Sequence, residues 1–133
     1  MAPAVTPLLP ANQRIDDPTI PNTLIVWRTL DPLETRIDPA TGQREIMSSA
    51  FRSEEVSVHM SGYVSQTDVV RRNPGAYLAE FTVGDARREH CRVRRDPNNA
   101  AHGLIYDDQK PGERSLTRGQ ARRIRDSAKL IIP

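Results

Sequence analysis

The chain has 133 residues and a mass of 14.9 kDa, which fits one domain and excludes a multidomain enzyme or a large barrel. Hydrophobic residues make up 37% of the chain and charged residues 27%, a mix that predicts a folded, water-exposed chain with a modest core. The longest apolar run, Leu24 to Trp27, is far shorter than the ~20 residues that a membrane span needs. No membrane partner is therefore expected.

The N-terminus and the single cysteine bear on the cellular compartment. Met1 to Pro7 contain neither a charged leader nor an apolar stretch, so no secretory signal is predicted. Because Cys91 is the only cysteine, an internal disulfide is impossible. We therefore predict a reducing, cytoplasmic compartment.

The basic residues are unevenly placed, and almost all of them are arginines. Among the 19 basic residues, only Lys110 and Lys129 are lysines. Residues 1–60 carry five basic and eight acidic groups, whereas residues 61–133 carry 14 and nine. The arginine bias has two explanations: the codon composition of a G+C-rich genome, or selection for a planar donor that suits phosphate and carboxylate. Any surface for an acidic partner is expected in the C-terminal half.

Residues 1–22 are predicted to form an extended or disordered arm ahead of a single domain at residues 23–133. Five prolines in this stretch prevent a helix or an inner strand. The apolar Leu8, Leu9 and Ile15 gain nothing from water, so the arm is alternatively expected to lie on the domain or to dock on a protein partner. The prolines are Pro3, Pro7, Pro10, Pro18 and Pro21.

Alternating apolar residues and turn signals predict five strands and three helices beyond the arm. The first helix has Ser65 or Thr67 as its cap, and the last begins at Thr117, which has the spacing of a reciprocal cap with Gln120. The order of elements predicts an α+β fold, with a mixed or antiparallel sheet of about five strands and two or three helices packed on it. The predicted strands are 23–30, 55–60, 77–83, 91–95 and 103–107, the predicted helices are 65–72, 84–90 and 118–131, and a long loop surrounds 38–42.

The predicted C-terminal helix is amphipathic and carries a row of cations. Arg118, Arg122, Arg125 and Lys129 recur at helical spacing and fall in a stripe ~60° wide. The neighbouring stripe is apolar and anchors the helix, so the cations are expected to face outward. The apolar stripe consists of Ala121, Ile124, Ala128 and Ile131.

Arg92 and Arg94 on the strand at 91–95 are predicted to form a second row of cations. Together the two rows predict non-enzymatic binding of nucleic acid or of an acidic protein surface, tolerant of sequence because phosphate contacts position a partner without specifying it. Tyr77 and Tyr106 are the aromatic residues expected to stack bases there. The alternative is a solvated surface whose charges serve solubility alone.

A second hypothesis is a small metal-independent ribonuclease that uses two histidines. His59 is predicted on the polar side of its strand, and His102 in the loop before the strand at 103–107. If the fold brings them together beside Arg92, Arg94 or Tyr106, they supply the base, the acid and the phosphate stabiliser that RNA cleavage needs. The alternative is two ordinary surface histidines.

The sequence Val-Trp-Arg-Thr-Leu at residues 26–30 resembles the first-strand arginine motif of ADP-ribosyltransferases of the arginine-serine-glutamate type. The resemblance implies that Arg28 holds the phosphates of NAD, that a serine such as Ser57 lies in the nicotinamide cleft, and that Glu80 acts on the ribose. The alternative for Arg28 is an ion pair with an acid at a strand end.

Neither a metal ion nor another cofactor is expected from the remaining residues. His90 and Cys91 are adjacent and point apart in either a helix or a strand, and no Cys-X-X-Cys or His-Glu-X-X-His spacing occurs. The glycines never have the spacing of a P-loop or of a dinucleotide fingerprint. Cys91 is predicted to be a small buried filler, although Arg87, Arg88 and Arg92 stand close enough in sequence to activate a thiol.

Overall fold

A computed structural model describes residues 14–133, so the first 13 residues of the predicted arm lie outside the described part. This part of the chain contains eight strands and three helices, and none of these helices is long and apolar enough to cross a membrane. The strands are β1 (Ile25–Leu30), β2 (Thr35–Ile37), β3 (Arg44–Ile46), β4 (Val56–Met60), β5 (Tyr77–Thr82), β6 (Cys91–Asp96), β7 (Asn99–Asp107) and β8 (Lys129–Ile131). The helices are α1 (Gln66–Arg72), α2 (Val83–Arg88) and α3 (Arg118–Ser127), with short 3-10 turns at Pro32–Glu34 and Ser48–Phe51.

Six strands form one sheet in the order β6-β7-β4-β1-β5-β8, and β2 and β3 form a separate hairpin. Every strand pair is antiparallel within the described residues. The predicted α+β fold is therefore confirmed. The expected sheet of about five strands is close to the observed six, and the predicted strands correspond to β1, β4, β5, β6 and β7.

The two faces of the sheet are covered differently. Side chains alternate along a strand, so Val26 points to one face, which we call the front face, and Trp27 points to the other, the rear face. On the front face, α2, α3 and the 3-10 turn at 48–51 enclose the main hydrophobic core. On the rear face, α1 packs Val69 against Trp27 and Leu78 in a much smaller core.

The C-terminal helix is shorter than predicted, because α3 ends at Ser127 and the next residues form β8, paired with β5. In a strand, Leu130 and Ile131 point to opposite faces, so Leu130 joins the main core and Ile131 joins the rear core. A helix would hold these two side chains about 100° apart and leave the edge of β5 unpaired. The prediction that Lys129 continues the helical row of cations is wrong.

The stretch predicted as a long loop contains the hairpin β2–β3, with Asp38–Gly42 in its turn. Gly42 has a φ of +71°, a backbone conformation that glycine adopts without strain. Across the hairpin, Arg36 donates a hydrogen bond to Glu45 at 2.6 Å. Because each strand has only three residues, its alternation is too short to be recognised in the sequence.

The predicted helix caps agree with the structure. The Thr117 hydroxyl accepts a hydrogen bond from the Gln120 amide, and the Gln120 side chain accepts one from the Thr117 amide. Ser65, not Thr67, caps α1 by accepting from the Asp68 amide at 3.1 Å. Reciprocal caps of this kind are local, which is why spacing alone predicts them.

Residues 14–22, the described part of the N-terminal segment, lie along the outer edge of β6. The Asp17 amide donates to the Val93 carbonyl at 2.8 Å, and the Asp16 carboxylate accepts from the Val93 amide at 2.9 Å. Further along, Ile20 is only 1% exposed and belongs to the main core. This segment therefore covers a strand edge of its own domain.

Arg87 of α2 holds this segment through four hydrogen bonds. Its Nε donates to Asp16, its Nη2 donates to the Asp17 carbonyl, and its Nη1 donates to the Ile20 carbonyl and to the Asn22 side chain, all at 2.6–3.0 Å. A rigid guanidinium reaches these divergent acceptors together, whereas an ammonium on a flexible stem does not.

We expect the variant Arg87→Lys to release residues 14–22, because most of these charge-assisted hydrogen bonds are lost and local opening becomes easier. Limited digestion with subtilisin, followed by mass spectrometry, should show cleavage in this segment accelerated by about tenfold or more. The matched control is Arg88→Lys, because the Arg88 side chain is 70% exposed and, within residues 14–133, pairs with Asp85 alone. Equal cleavage rates in the two variants would contradict the role assigned to Arg87.

Candidate functional site

The sheet brings His59 and His102 together on its rear face. Antiparallel pairing of β4 with β7 places the two residues directly opposite each other. Their ring centroids are 4.8 Å apart, their ring planes meet at 77°, and both side chains are half-buried. Among the residues singled out from the sequence as catalytic candidates, these are the two whose side chains the fold places in contact.

His102 is a strand residue and not a loop residue as predicted, because β7 begins at Asn99. The start of β7 is Asn-Ala-Ala-His, which lacks the β-branched residues that signal a strand. Its pairing with β6 comes from the tight turn after Asp96, which pairs with Asn99. This early start gives His102 its defined register opposite His59.

The histidine pair lines a cavity of about 240 Å³ between the sheet and the C-terminal end of α1. Arg72, in the last turn of α1, contributes a cation to the lining, and Asn73 contributes an amide that also caps the helix by donating to the Val69 carbonyl. Two imidazoles and one guanidinium at one opening are suited to an anion such as a phosphate group. The rest of the lining is Val64, Val69, Asn99 and Ala101.

The surroundings of His59 favour its neutral form. Burial lowers the pKa of His59 below its ordinary value of 6.5, and the nearby His102 and Arg72 lower that pKa further. Loss of water and a neighbouring positive charge both disfavour an imidazolium. Near pH 7, His59 is therefore unprotonated and able to accept a proton.

The lowered pKa of His59 also makes the stability of the protein depend on pH. The unfolded chain takes up the proton at about 6.5 while the folded chain resists it, so stability falls as the pH drops below that value. We expect the variant His59→Gln to flatten this decline, as measured by urea denaturation at several pH values between about 7.5 and 5. A decline equally steep in the variant and the wild type would contradict the assignment.

The two predicted rows of cations lie on opposite faces of the sheet. Arg92 and Arg94 pair with Tyr106 and Leu104 of β7, and so share the rear face with His102. By contrast, α3 packs on the front face. The rows cannot form one contact surface, and the strand row belongs with the histidine pair.

On the rear face, Arg92 and Arg94 differ in their surroundings. Arg92 donates to Asp108 at 2.7 Å and to the Arg14 carbonyl at 3.2 Å, so its guanidinium is used within the domain. Arg94 has no hydrogen-bond or ion-pair partner within residues 14–133. It is therefore the arginine of this row that is placed to meet a ligand beside His102.

On the front face, two of the four cations predicted to form a row on the C-terminal helix, Arg118 and Arg122, remain available to a partner. Both are exposed and lie one turn apart on α3, with no ion pair inside the described chain. Arg125 is half-buried and its guanidinium pairs with Asp126 at 2.8 Å. Lys129 is exposed but lies on β8.

Arg28 and Glu80, which the ADP-ribosyltransferase resemblance implies for one site, do not meet, and Arg28 contacts only the main chain of Ser57. Arg28 points to the front face, where it donates to the carbonyls of Ala50 and Ser57, each at 2.8 Å. Glu80 lies opposite Trp27 on the rear face and accepts the indole N–H at 3.0 Å. The sheet itself separates Arg28 from Glu80, and the partners of Arg28 are main-chain carbonyls rather than an acid.

The two aromatic residues expected to stack bases are both occupied. Tyr106 is buried and its hydroxyl donates to Glu55 at 2.7 Å. Tyr77 is half-buried, and the Arg44 guanidinium covers its ring at 5.6 Å. The aromatic residue that the sequence reasoning missed is Tyr63, which is 53% exposed in the turn after β4. Its position directly after Gly62 was the available signal, because a turn exposes its side chains.

Cys91 is buried in the main core, as predicted for a small apolar filler. Burial raises the pKa of this thiol to about 12, and the nearby carboxylates of Asp107, Glu89 and Asp108 act in the same direction. The side chain is therefore an uncharged thiol at neutral pH and a poor nucleophile.

Comparison of the chain with protein-family models, with curated protein sequences and with solved structures found no match. The chemistry of the site therefore has to be inferred from its own geometry.

Proposed function

We propose that the protein cleaves single-stranded RNA without a metal ion, using His59 and His102. The observation that carries this proposal is the contact between two half-buried imidazoles, 4.8 Å apart at their centroids, in the lining of one cavity. A pair of groups that exchange protons near neutral pH is what transesterification of a phosphodiester requires.

In the proposed reaction, neutral His59 removes the proton from a ribose 2′-hydroxyl, whose oxygen then attacks the adjacent phosphorus. A bond forms between that oxygen and phosphorus, and the bond from phosphorus to the 5′-oxygen of the next nucleotide breaks. His102, acting as the general acid, donates a proton to this departing oxygen. The products are a 2′,3′-cyclic phosphate and a free 5′-hydroxyl, and no electron acceptor or donor is needed.

The cations around the pair suit the charge that develops on phosphorus. Arg72 lines the same cavity and neutralises the non-bridging oxygens, a form of stabilisation that is strongest where water is partly excluded. Arg94, on the neighbouring strand, holds an adjacent phosphate and so positions the strand. The single cavity thus combines proton transfer and charge stabilisation.

The direct test is incubation of the protein with end-labelled single-stranded RNA in the presence of a metal chelator. We expect RNA fragments that end in a cyclic phosphate. DNA of the same sequence should remain intact, because the attacking 2′-hydroxyl is missing. Intact RNA after prolonged incubation, or cleavage that the chelator abolishes, would overturn the proposal.

A second candidate function is binding of nucleic acid, or of an acidic protein surface, by the exposed side of α3. The specific observation in its favour is the exposure of Arg118 and Arg122 one turn apart, without an ion pair within residues 14–133. Two neighbouring guanidinium groups match the phosphates of a backbone, and they hold a partner without reading its sequence.

For this candidate, we expect the double variant Arg118→Gln, Arg122→Gln to weaken nucleic-acid binding and to flatten its salt dependence. Loss of two phosphate contacts should reduce the slope of log affinity against log salt by between about one and two, measured from 50 to 200 mM salt. Arg36→Gln, which removes an arginine that is 62% exposed and paired with Glu45, is the control. An unchanged slope in the double variant would exclude α3 as the contact.

A further inference from the structure

We infer that a cavity of about 360 Å³ beside the hairpin β2–β3 binds a small organic acid, whose carboxylate pairs with Arg44. The cavity lies between the hairpin and the segment that leads from the end of α3 into β8. Its apolar lining includes Ile46 and Leu130, which pack in the main core on the front face, so it is separate from the histidine cavity on the rear face. The inference therefore does not rest on the proposed ribonuclease activity.

The charged side chains around this cavity leave one cation without a counterion. Arg36 pairs with Glu45 across the hairpin at 2.6 Å, and Arg125 pairs with Asp126 at 2.8 Å. Arg44 lines the same cavity and has no carboxylate partner in the described part of the chain. The lining thus holds three guanidinium groups and two carboxylates, and a ligand with one negative charge would balance it.

Arg44 is held by neutral groups, and these leave one edge of its guanidinium open. Its Nη1 donates to the Thr35 hydroxyl at 2.9 Å, and that hydroxyl donates to the Pro32 carbonyl at 2.6 Å. The guanidinium also lies over the Tyr77 ring, 5.6 Å from the ring centroid. Its Nε and Nη2 have no partner among the described residues, yet both reach solvent. These two nitrogens form the fork that binds both oxygens of a carboxylate.

The arrangement favours a carboxylate carried on a small apolar body. A guanidinium that is fixed before binding loses little freedom when the ligand arrives, and its planar fork matches a carboxylate in a way that an ammonium does not. Ile46, Ala128 and Leu130 in the lining would contact the rest of the molecule. A volume of about 360 Å³ lies in the range of small-molecule sites. The site therefore suits a small organic acid.

The test titrates the isotope-labelled protein with benzoate and follows the backbone amide signals by NMR. We expect saturable shifts in β2, β3, β8 and the end of α3, with a Kd of about 10 mM or tighter for a ligand of this size. Benzamide, which has the same shape without the charge, should bind about tenfold or more weakly. Phenyl phosphate should bind no more tightly than benzoate, because its second charge would meet the carboxylates of Glu45 and Asp126.

Variants of Arg44 assign the binding to its guanidinium. Arg44→Gln should weaken benzoate binding by about tenfold or more, because charge-assisted hydrogen bonds are lost. Arg44→Lys keeps a cation beside Tyr77 but lacks the fork, so it should also bind more weakly than the wild type. The matched control is Arg52→Gln, which removes an exposed arginine that does not line the cavity.

The inference is refuted if benzoate shifts no cavity signal, if benzamide binds as tightly, or if Arg44→Gln and Arg52→Gln lose affinity equally. Wild-type affinity in Arg44→Lys would refute the role of the fork, and tighter binding of phenyl phosphate would refute a carboxylate as the ligand. Because no RNA is present in these titrations, their outcome is independent of whether the protein cleaves RNA.

Discussion

Replacing either His59 or His102 with alanine is expected to reduce RNA cleavage by about 10²- to 10⁴-fold, the usual contribution of one general acid or base. The two single variants should be similarly impaired, because base and acid act in the same transesterification. The double variant should be little worse than either one, since residues that act as a unit do not contribute additively. Cleavage rates measured under single-turnover conditions provide the comparison.

The third histidine supplies a matched control for this prediction. His90 lies at the junction of α2 and β6 with a φ of +60°, which asparagine adopts more readily than other side chains, so His90→Asn should fold and cleave normally. Circular dichroism then verifies that the His59 and His102 variants remain folded. Cleavage by either alanine variant at more than about a tenth of the wild-type rate would refute its assigned role.

The second large effect concerns stability, and we expect Asp107→Ala to lower the free energy of unfolding by about 2–3 kcal/mol. Asp107 is fully buried, and its carboxylate accepts hydrogen bonds from Arg114 and from the side chain of Gln120. It also accepts from the amides of Gln109 and Lys110. Alanine would remove the carboxylate that Arg114 pairs with and would deprive the buried Gln120 side chain of this acceptor, which is costly.

The lowered pKa of the Asp107 carboxyl supports the expected loss of stability. Burial by itself would raise the pKa of this carboxyl, but the hydrogen bonds from Arg114, the Lys110 amide and Gln120 outweigh it and lower the pKa below 3.8. The stabilisation is therefore present above that pH and is lost as the pH falls below it.

The neighbouring residue provides the control for the Asp107 measurement. Asp108 is 45% exposed and pairs with Arg92, so Asp108→Ala should cost no more than about 1 kcal/mol in urea denaturation. Equal losses of stability in the two variants would show that the buried network around Asp107 contributes no more than a surface ion pair.

The sequence predicted those features of the fold that depend on neighbouring residues. The alternation of Val56, Val58 and Met60 marked β4, and the spacing of Thr117 and Gln120 marked the start of α3. Such signals need no knowledge of what packs against the segment. They were sufficient for the α+β class and for most of the strands.

The end of α3 and the hairpin β2–β3 depended on contacts that are distant in sequence. Leu130 and Ile131 suit a helix as well as a strand, and only the unpaired edge of β5 decides between them. The three-residue strands of the hairpin carry no periodicity of their own. Tertiary pairing, which local propensity does not encode, determined both outcomes.

The candidate site was predictable only as a list of chemically suitable residues. His59 and His102 could be named from the sequence, but their contact follows from the register of β4 on β7. The separation of Arg92 and Arg94 from α3 likewise follows from which face each strand residue points to. Tyr63 was missed because exposure is decided by the turn and not by the residue type.

The strand order has a consequence for when the histidine centre exists. The tight turn joins β6 to β7, so His102 enters a hairpin that closes early, whereas His59 lies on a strand separated from it in the chain by α1, β5, α2 and β6. Pairings across large loops form later than local ones. A nascent or half-folded chain accordingly carries both imidazoles without their being neighbours, so the proposed RNA cleavage would be withheld until β7 has paired with β4.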